Sequence, residues 1–144
     1  HYIENGIKLV KERDAKNTEL QFHLSDAPDI AQTIAVTAFG LGLHCDLTGL
    51  HTLKIKETDR LVALKTELEK LGAVIHITSE SLHLERATKI IAAVAIDTYN
   101  DHRMAMAFAP VGLKTSLTIK DAEVVTKSYP QFWEDFKAIG FSLK

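Results

Sequence analysis

A chain of 144 residues fits one domain, or part of a larger one. Hydrophobic residues make up 46% and charged residues 25%, the balance of an ordinary globular protein with a core to bury. The net charge of −2 argues against general nucleic-acid binding, which needs a basic surface, and no apolar run is long enough to span a bilayer.

In chain order, Ile7 to Lys11 and Leu20 to Leu24 read as short strands around a polar turn at Asp14 to Thr18. Asp26-Ala27-Pro28-Asp29 reads as a helix start, with Asp26 as cap and Pro28 in the first turn. The helix runs to about Gly42 and is apolar nearly all round, so it should be buried. A strand is expected from His44 to Leu50. The next helix, about Thr58 to Leu71, carries Leu61, Leu64, Leu68 and Leu71 on one face and stops at Gly72. Ala73 to Thr78 and Ser81 to Glu85 predict a hairpin, and Ala92 to Thr98 a further strand. A second apolar helix is expected over Asp101 to Leu113, then a strand over Leu117 to Ile119. Ser128 and Gln131 have capping-box spacing before a last helix that ends at Gly140.

The elements repeat. An apolar helix near Asp29 is followed by Lys56 just before a second helix, and an apolar helix near Asp101 is followed by Lys127 just before another. Two copies of one β-α-β-α unit with added strands are too few and too long for a solenoid. They predict a duplicated α/β module, with copies over about 20–90 and 91–144.

The chemistry concentrates at the helix starts. Lys56-Glu57-Thr58-Asp59-Arg60 opens one, Asn100-Asp101-His102-Arg103 another, and Lys127 precedes a third. A helix N-terminus is the positive end of the helix dipole, where acids are favoured and bases are not. Lys56, Arg60, Arg103 and Lys127 therefore oppose the local preference, unless these ends converge on a bound anion. The alternative is local pairing of Lys56 and Arg60 with Glu57 and Asp59 on a solvated face. Asp29 can equally be an acid favoured by the dipole, and His102 a structural residue. His23, His44, His51, His76 and His83 lack metal-ligand spacing along the chain, so no metal is expected. No glycine-rich phosphate loop or dinucleotide fingerprint is present, so no cofactor is expected. The single cysteine, Cys45, rules out an internal disulfide, suits a reducing cytoplasm, and reads as a buried strand residue. His1-Tyr2-Ile3-Glu4 has no signal-peptide character and no initiator Met, so the chain is expected to begin inside a longer protein.

Four stretches carry a family resemblance. Ala27-Pro28-Asp29-Ile30-Ala31-Gln32-Thr33, Leu53-Lys54-Ile55-Lys56-Glu57-Thr58-Asp59-Arg60-Leu61, Tyr99-Asn100-Asp101-His102-Arg103-Met104-Ala105-Met106 and Thr126-Lys127-Ser128-Tyr129-Pro130 together resemble the EPSP synthase (3-phosphoshikimate 1-carboxyvinyltransferase) family over about residues 20–144. The resemblance implies an α/β (α+β) fold of repeated β-α-β-α-β-β units, three to a domain, with substrates in a cleft between two similar domains. Two of three repeats of one domain would be present here, as its C-terminal part, and the other domain absent. The implied reaction joins the 5-hydroxyl of shikimate 3-phosphate to C2 of phosphoenolpyruvate by addition and elimination of phosphate, without a metal.

Carried over by position, Asp29 matches the residue that binds the shikimate hydroxyls and accepts a proton. Lys56 matches a contact to shikimate 3-phosphate, and Thr52 a polar position near the same ligand. Glu57 matches the glutamate that moves a proton at C3 of the enolpyruvyl group. Arg60 and Arg103 match arginines that hold phosphoenolpyruvate, His102 a histidine at the same site, and Lys127 a lysine near the phosphoenolpyruvate phosphate. The missing half would supply further substrate contacts, so the chain alone is expected to have little or no transferase activity. The competing expectations are the sister enolpyruvyl transferase acting on UDP-N-acetylglucosamine, and a non-catalytic anion-binding α/β module.

Overall fold

The computed structural model describes residues 1–8, 10, 18–56 and 58–144. At the N-terminus, β1 (Tyr2–Ile3) and β2 (Gly6–Ile7) form a small exposed hairpin. The strand predicted over Ile7 to Lys11 reduces to its first residue, and residues 9 and 11–17 of that strand and turn lie outside the described residues.

The first full unit is β3 (Glu19–His23), α1 (Ala31–Leu41), β4 (His44–Thr48), α2 (Arg60–Lys70), β5 (Ile75–Ile77) and β6 (Ser81–Leu84). Its strands form one sheet in the order β3-β4-β6-β5. β3 runs parallel to β4, and the other two pairings are antiparallel. A parallel pair needs a crossover, and α1 supplies it. The second unit, β7 (Val94–Ile96), α3 (His102–Phe108), β8 (Leu117–Ile119) and α4 (Phe132–Ala138), repeats the first four elements, again with a parallel strand pair around an apolar helix.

Alternation along β4 buries Cys45 and Leu47 and turns His44, Asp46 and Thr48 outward. The inner face meets the leucine stripe of α2, where Leu61, Leu64, Leu68 and Leu71 are fully buried. Helices α1 and α3 pack on each other. The alanines Ala31, Ala35, Ala38, Ala105 and Ala107 sit on buried positions where large side chains would hold the backbones apart. A second apolar cluster joins Ala105, Ala109, Val125 and Phe132, seating α4 beneath α3.

The helix boundaries differ from expectation in three places. Asp26 does not cap: a 3-10 turn at Pro28–Ile30 precedes α1, and neither start has a side-chain cap. Ser128 does not cap either, because the chain first forms a 3-10 helix over Ala122–Lys127, and Gln131 holds the N-cap position of α4. Helix α3 stops at Phe108 and continues as a 3-10 helix over Ala109–Leu113, since Pro110 has no N–H for the α ladder. Helix α1 is also less enclosed than its composition implies. Thr33, Thr37 and Leu41 form an exposed stripe along it, and the lower part opens on a groove with Pro110 and Leu113.

Candidate anion-binding active site

The N-terminal ends of α1, α2 and α3 meet. Asp59 caps α2 by accepting from the N–H groups of Leu61 and Val62, which fixes Arg60 as the first helical residue. Asp101 caps α3 by accepting from Arg103 N–H at 2.9 Å. The approach to that cap is tight: Tyr99 and Asn100 both have left-handed backbones, with φ of 54° and 56°. Such residues cost on the order of 1 kcal/mol or more each and persist where the surroundings hold them. Here the Tyr99 hydroxyl is anchored by donating to Glu67 at 2.7 Å.

The fully buried Asp101 carboxylate is the hub. Arg60, only 2% exposed, donates to it from Nε at 2.7 Å and from a terminal nitrogen at 3.4 Å. Gln32 of α1 donates to the same carboxylate at 3.3 Å. The other Arg60 terminal nitrogen reaches Asp29 at 2.8 Å. Asp29 also receives Lys56 at 3.3 Å and Arg103 at 3.3 Å, while Arg103 donates to the Asp29 backbone carbonyl at 3.1 Å. One aspartate at each of two helix starts thus gathers cations from three chain segments. Burial works to raise the Asp29 pKa, but the Lys56 hydrogen bond and the charges of Arg103, Lys56 and Arg60 together hold it below the ordinary carboxylate range.

Among the described residues the cluster holds three permanent cations, Lys56, Arg60 and Arg103, against two carboxylates, Asp29 and Asp101. Lys56 and Arg103, with helix N-termini beside them, are an arrangement that accepts an anion. Lys56 and Arg103 are the members within reach of one, since each side chain keeps about a third of its surface exposed. Arg60 is the buried member and serves to lock the two aspartates together.

The remaining sequence candidates divide. His102 opens α3 at the edge of the cluster, with Nδ1 4.0 Å from Asp101. Thr52 lies in a 3-10 helix over His51–Ile55 that packs against the Pro28–Ile30 turn, and its buried hydroxyl has no hydrogen-bond partner among the described residues. Glu57 lies outside the described residues. Lys127 does not precede a helix N-terminus in space: it is the exposed last residue of the Ala122–Lys127 3-10 helix, and makes no ion pair with Asp29 or Asp101 among the described residues. Lys56 likewise caps the C-terminal end of its 3-10 helix. A cation there follows the helix dipole rather than opposing it, so the electrostatic conflict read from the sequence holds only for Arg60 and Arg103. Sequence reasoning does not single out Asp101 and Gln32 as site residues. Both stand inside the four distinctive stretches, and a glutamine in a mostly apolar helix is a signal that points to the pair.

The sequence matches the family described as EPSP synthase (3-phosphoshikimate 1-carboxyvinyltransferase) over residues 3–136. The chain belongs to the EPSP synthase family. A 3-phosphoshikimate 1-carboxyvinyltransferase of Bacteroides fragilis is 44% identical over 147 aligned residues, covering 99% of this chain and 35% of that protein. One from Shewanella denitrificans is 39% identical, covering 93% of this chain and 31% of its own length. The chain therefore spans about a third of the length of these relatives. Among solved structures, an EPSP synthase from Acinetobacter baumannii superposes with a TM-score of 0.74 at 29% identity, over 82% of this chain and 28% of that one. The mixed helix and strand architecture is thus an EPSP synthase fold, and the cluster at Asp29 and Asp101 is built from the stretches that carried the family resemblance.

Proposed function

We propose that this chain is the C-terminal part of one domain of a 3-phosphoshikimate 1-carboxyvinyltransferase. Residues 20–90 and 91–144 form two of its three repeats, and the rest of the enzyme completes the cleft. The observation that carries the reading is the set of three cations drawn around Asp29, two from helix starts in different units and one from the end of a 3-10 helix. An apolar groove bordered by Val36, Leu41, Val111 and Leu113 supports the view that more protein covers this face, since Leu41 and Leu113 are 60% and 74% exposed. No helix of the described residues is long and apolar enough to cross a membrane. With Cys45 a buried free thiol pushed up to about 11 by burial and by the Asp46 charge, the chain suits a cytoplasmic enzyme.

In this reading the two anionic substrates, phosphoenolpyruvate and shikimate 3-phosphate, bind against Lys56 and Arg103, while Thr52, its hydroxyl buried, supports the turn that carries Asp29. Arg60 orients the aspartates, and Lys127 joins only if domain closure brings it near. The 5-hydroxyl oxygen bonds to C2 of phosphoenolpyruvate, its proton passes to Asp29, and C3 gains a proton from Glu57 or His102. The same group, Glu57 or His102, then takes a proton back from C3, restoring the double bond as the C2–O bond to phosphate breaks and inorganic phosphate leaves. Asp29 is a poor base while three cations hold it ionised. Substrate anions take up part of that positive charge, which raises its proton affinity at the moment it is needed. No metal or cofactor enters.

The test uses the intact enzyme and the isolated chain. Asp29→Asn and Glu57→Gln in the intact enzyme should each lower kcat by about a hundredfold or more, and the isolated chain should not turn over. Near-normal turnover by Asp29→Asn, or by the 144-residue chain alone, would sink the reading.

A further inference from the structure

Strand pairing assembles a second polar cluster on the outward face of the four-stranded sheet, away from the helix starts. Asp46 on β4 is the cross-strand partner of His83 on β6, and His44 lies two residues earlier on β4, hence on the same face. The Asp46 carboxylate bridges the pair, with one oxygen 2.6 Å from His83 Nδ1 and the other 3.1 Å from His44 Nε2. The imidazoles meet edge to face with centroids 4.7 Å apart. All three donor atoms lie within 4.8 Å of one another.

We propose that His44, Asp46 and His83 form a binding site for a borderline divalent transition-metal ion of the zinc class, stapling β4 to β6. Four-coordinate zinc takes nitrogen and oxygen ligands at about 2.0–2.2 Å, which puts neighbouring donors about 3.3 Å apart. The two imidazole-to-carboxylate spacings, 2.6 and 3.1 Å, fall somewhat short of that value and all three donors lie within 4.8 Å, so side-chain rotations are enough to bring them onto one ion. Two imidazoles with one carboxylate favour zinc, cobalt, nickel or copper over magnesium or calcium, which take oxygen sets. The surroundings add negative charge. Glu19 is paired with His44 across β3 and β4, and Glu85 stands 3.9 Å from His76, the cross-strand neighbour of His83. All three ligands keep more than a quarter of their side-chain surface exposed, so an ion has direct access. Three protein ligands leave the fourth position to water. Separation along the chain hides this set, because its spacing exists only across strands.

Calorimetric titration of Zn2+ into the 144-residue chain at neutral pH tests the site, with visible absorption of bound Co2+ as second readout. Expected is one saturable equivalent that raises Tm. His44→Gln, Asp46→Asn and His83→Gln should each weaken binding by at least about tenfold. His1→Gln, which removes the side chain nearest the terminal amine, should change nothing. The ligand positions are on the surface, so metal-free variants should melt close to the parent, which separates lost binding from lost folding. Binding that survives both His44→Gln and His83→Gln, or no saturable binding below ~1 mM, would mean that the cluster is only a hydrogen-bonded triad.

Discussion

Arg60 and Arg103 share a partner, Asp29, but differ in burial, and burial decides what each contributes. Arg60 is 2% exposed between two carboxylates, and Asp101 has no exposed surface at all. Arg60→Met would strip the buried Asp101 carboxylate of its arginine, leaving Gln32, the α3 cap and the more distant His102 around it among the described residues. Breaking such a buried pair costs about 3–5 kcal/mol. Arg103 is over a third exposed and faces a carboxylate of similar exposure. Arg103→Ala should cost about 1 kcal/mol or less in stability while weakening the binding of phosphate or phosphoenolpyruvate. Urea denaturation of both variants checks the first half, and anion titration the second. Equal stability losses would show that Arg60 is not the lock described above. Motif reading alone gives both arginines the same role. What separates them is a contact with Asp101 across 41 positions of sequence, which periodicity cannot reveal.

At the scale of elements, legibility follows the strength of the local signal. The leucine stripe and Gly72 place α2 within two residues at each end, and β8 matches its predicted span. Both misplaced helix starts involve a 3-10 turn inserted before the α-helix. Composition does not distinguish the two helix types there, because the same capping residues serve turns. The loop after β4 shows how far backbone geometry constrains the unit. Gly49 has φ +76°, and a Cβ there would lie 2.7 Å from the Ser25 backbone nitrogen. That approach lets Leu24 N–H bond to the Thr48 carbonyl at 2.8 Å and closes the β3–β4 edge. Gly49→Ala should therefore destabilise by about 1–3 kcal/mol. Gly40, inside α1 with no atom within 4 Å of where a methyl group would project, should respond with the opposite sign. Gly40→Ala should stabilise by about 0.5–1 kcal/mol. Thermal or urea unfolding of the pair checks both, and a shared sign would refute the geometric argument.

For the whole molecule, the two units are held by polar contacts as well as by the α1–α3 core. Glu67 of α2 is fully buried. It accepts Lys70 Nζ at 2.6 and 2.9 Å, Tyr99 hydroxyl at 2.7 Å and the Asp97 N–H at 3.1 Å. Lys70 also bridges to the Asp97 carboxylate at 2.7 Å, and Lys120 to the same group at 2.9 Å. The network thus clamps a first-unit helix to the loop leading into α3, and with it the Asp101 hub. Burial and the Glu67 hydrogen bond push the Tyr99 hydroxyl up to about 12, so it stays a donor through the neutral range. Hydrogen bonds from Lys70 and Lys120 hold the Asp97 carboxyl below its ordinary range. Burial works to lower the Lys70 pKa, but the Asp97 and Glu67 hydrogen bonds raise it overall. A depressed carboxylate contributes stability above its unfolded pKa, about 3.9, and loses it as pH falls through the lower folded value. A raised lysine contributes below its unfolded pKa, about 10.4, and loses it as pH rises through the folded value. The clamp should accordingly be intact between those limits and open at both ends. Glu67→Ala strips the buried acceptor from three donors and should cost about 3 kcal/mol at neutral pH. Asp97→Asn should lower the neutral plateau, since the depressed carboxylate's contribution is present there, and flatten the acid limb of a stability-against-pH curve, because that contribution is no longer there to lose. An acid limb equally steep in Asp97→Asn would assign acid unfolding to other carboxylates, Asp29 and Asp46 first, since both are also held below the ordinary range.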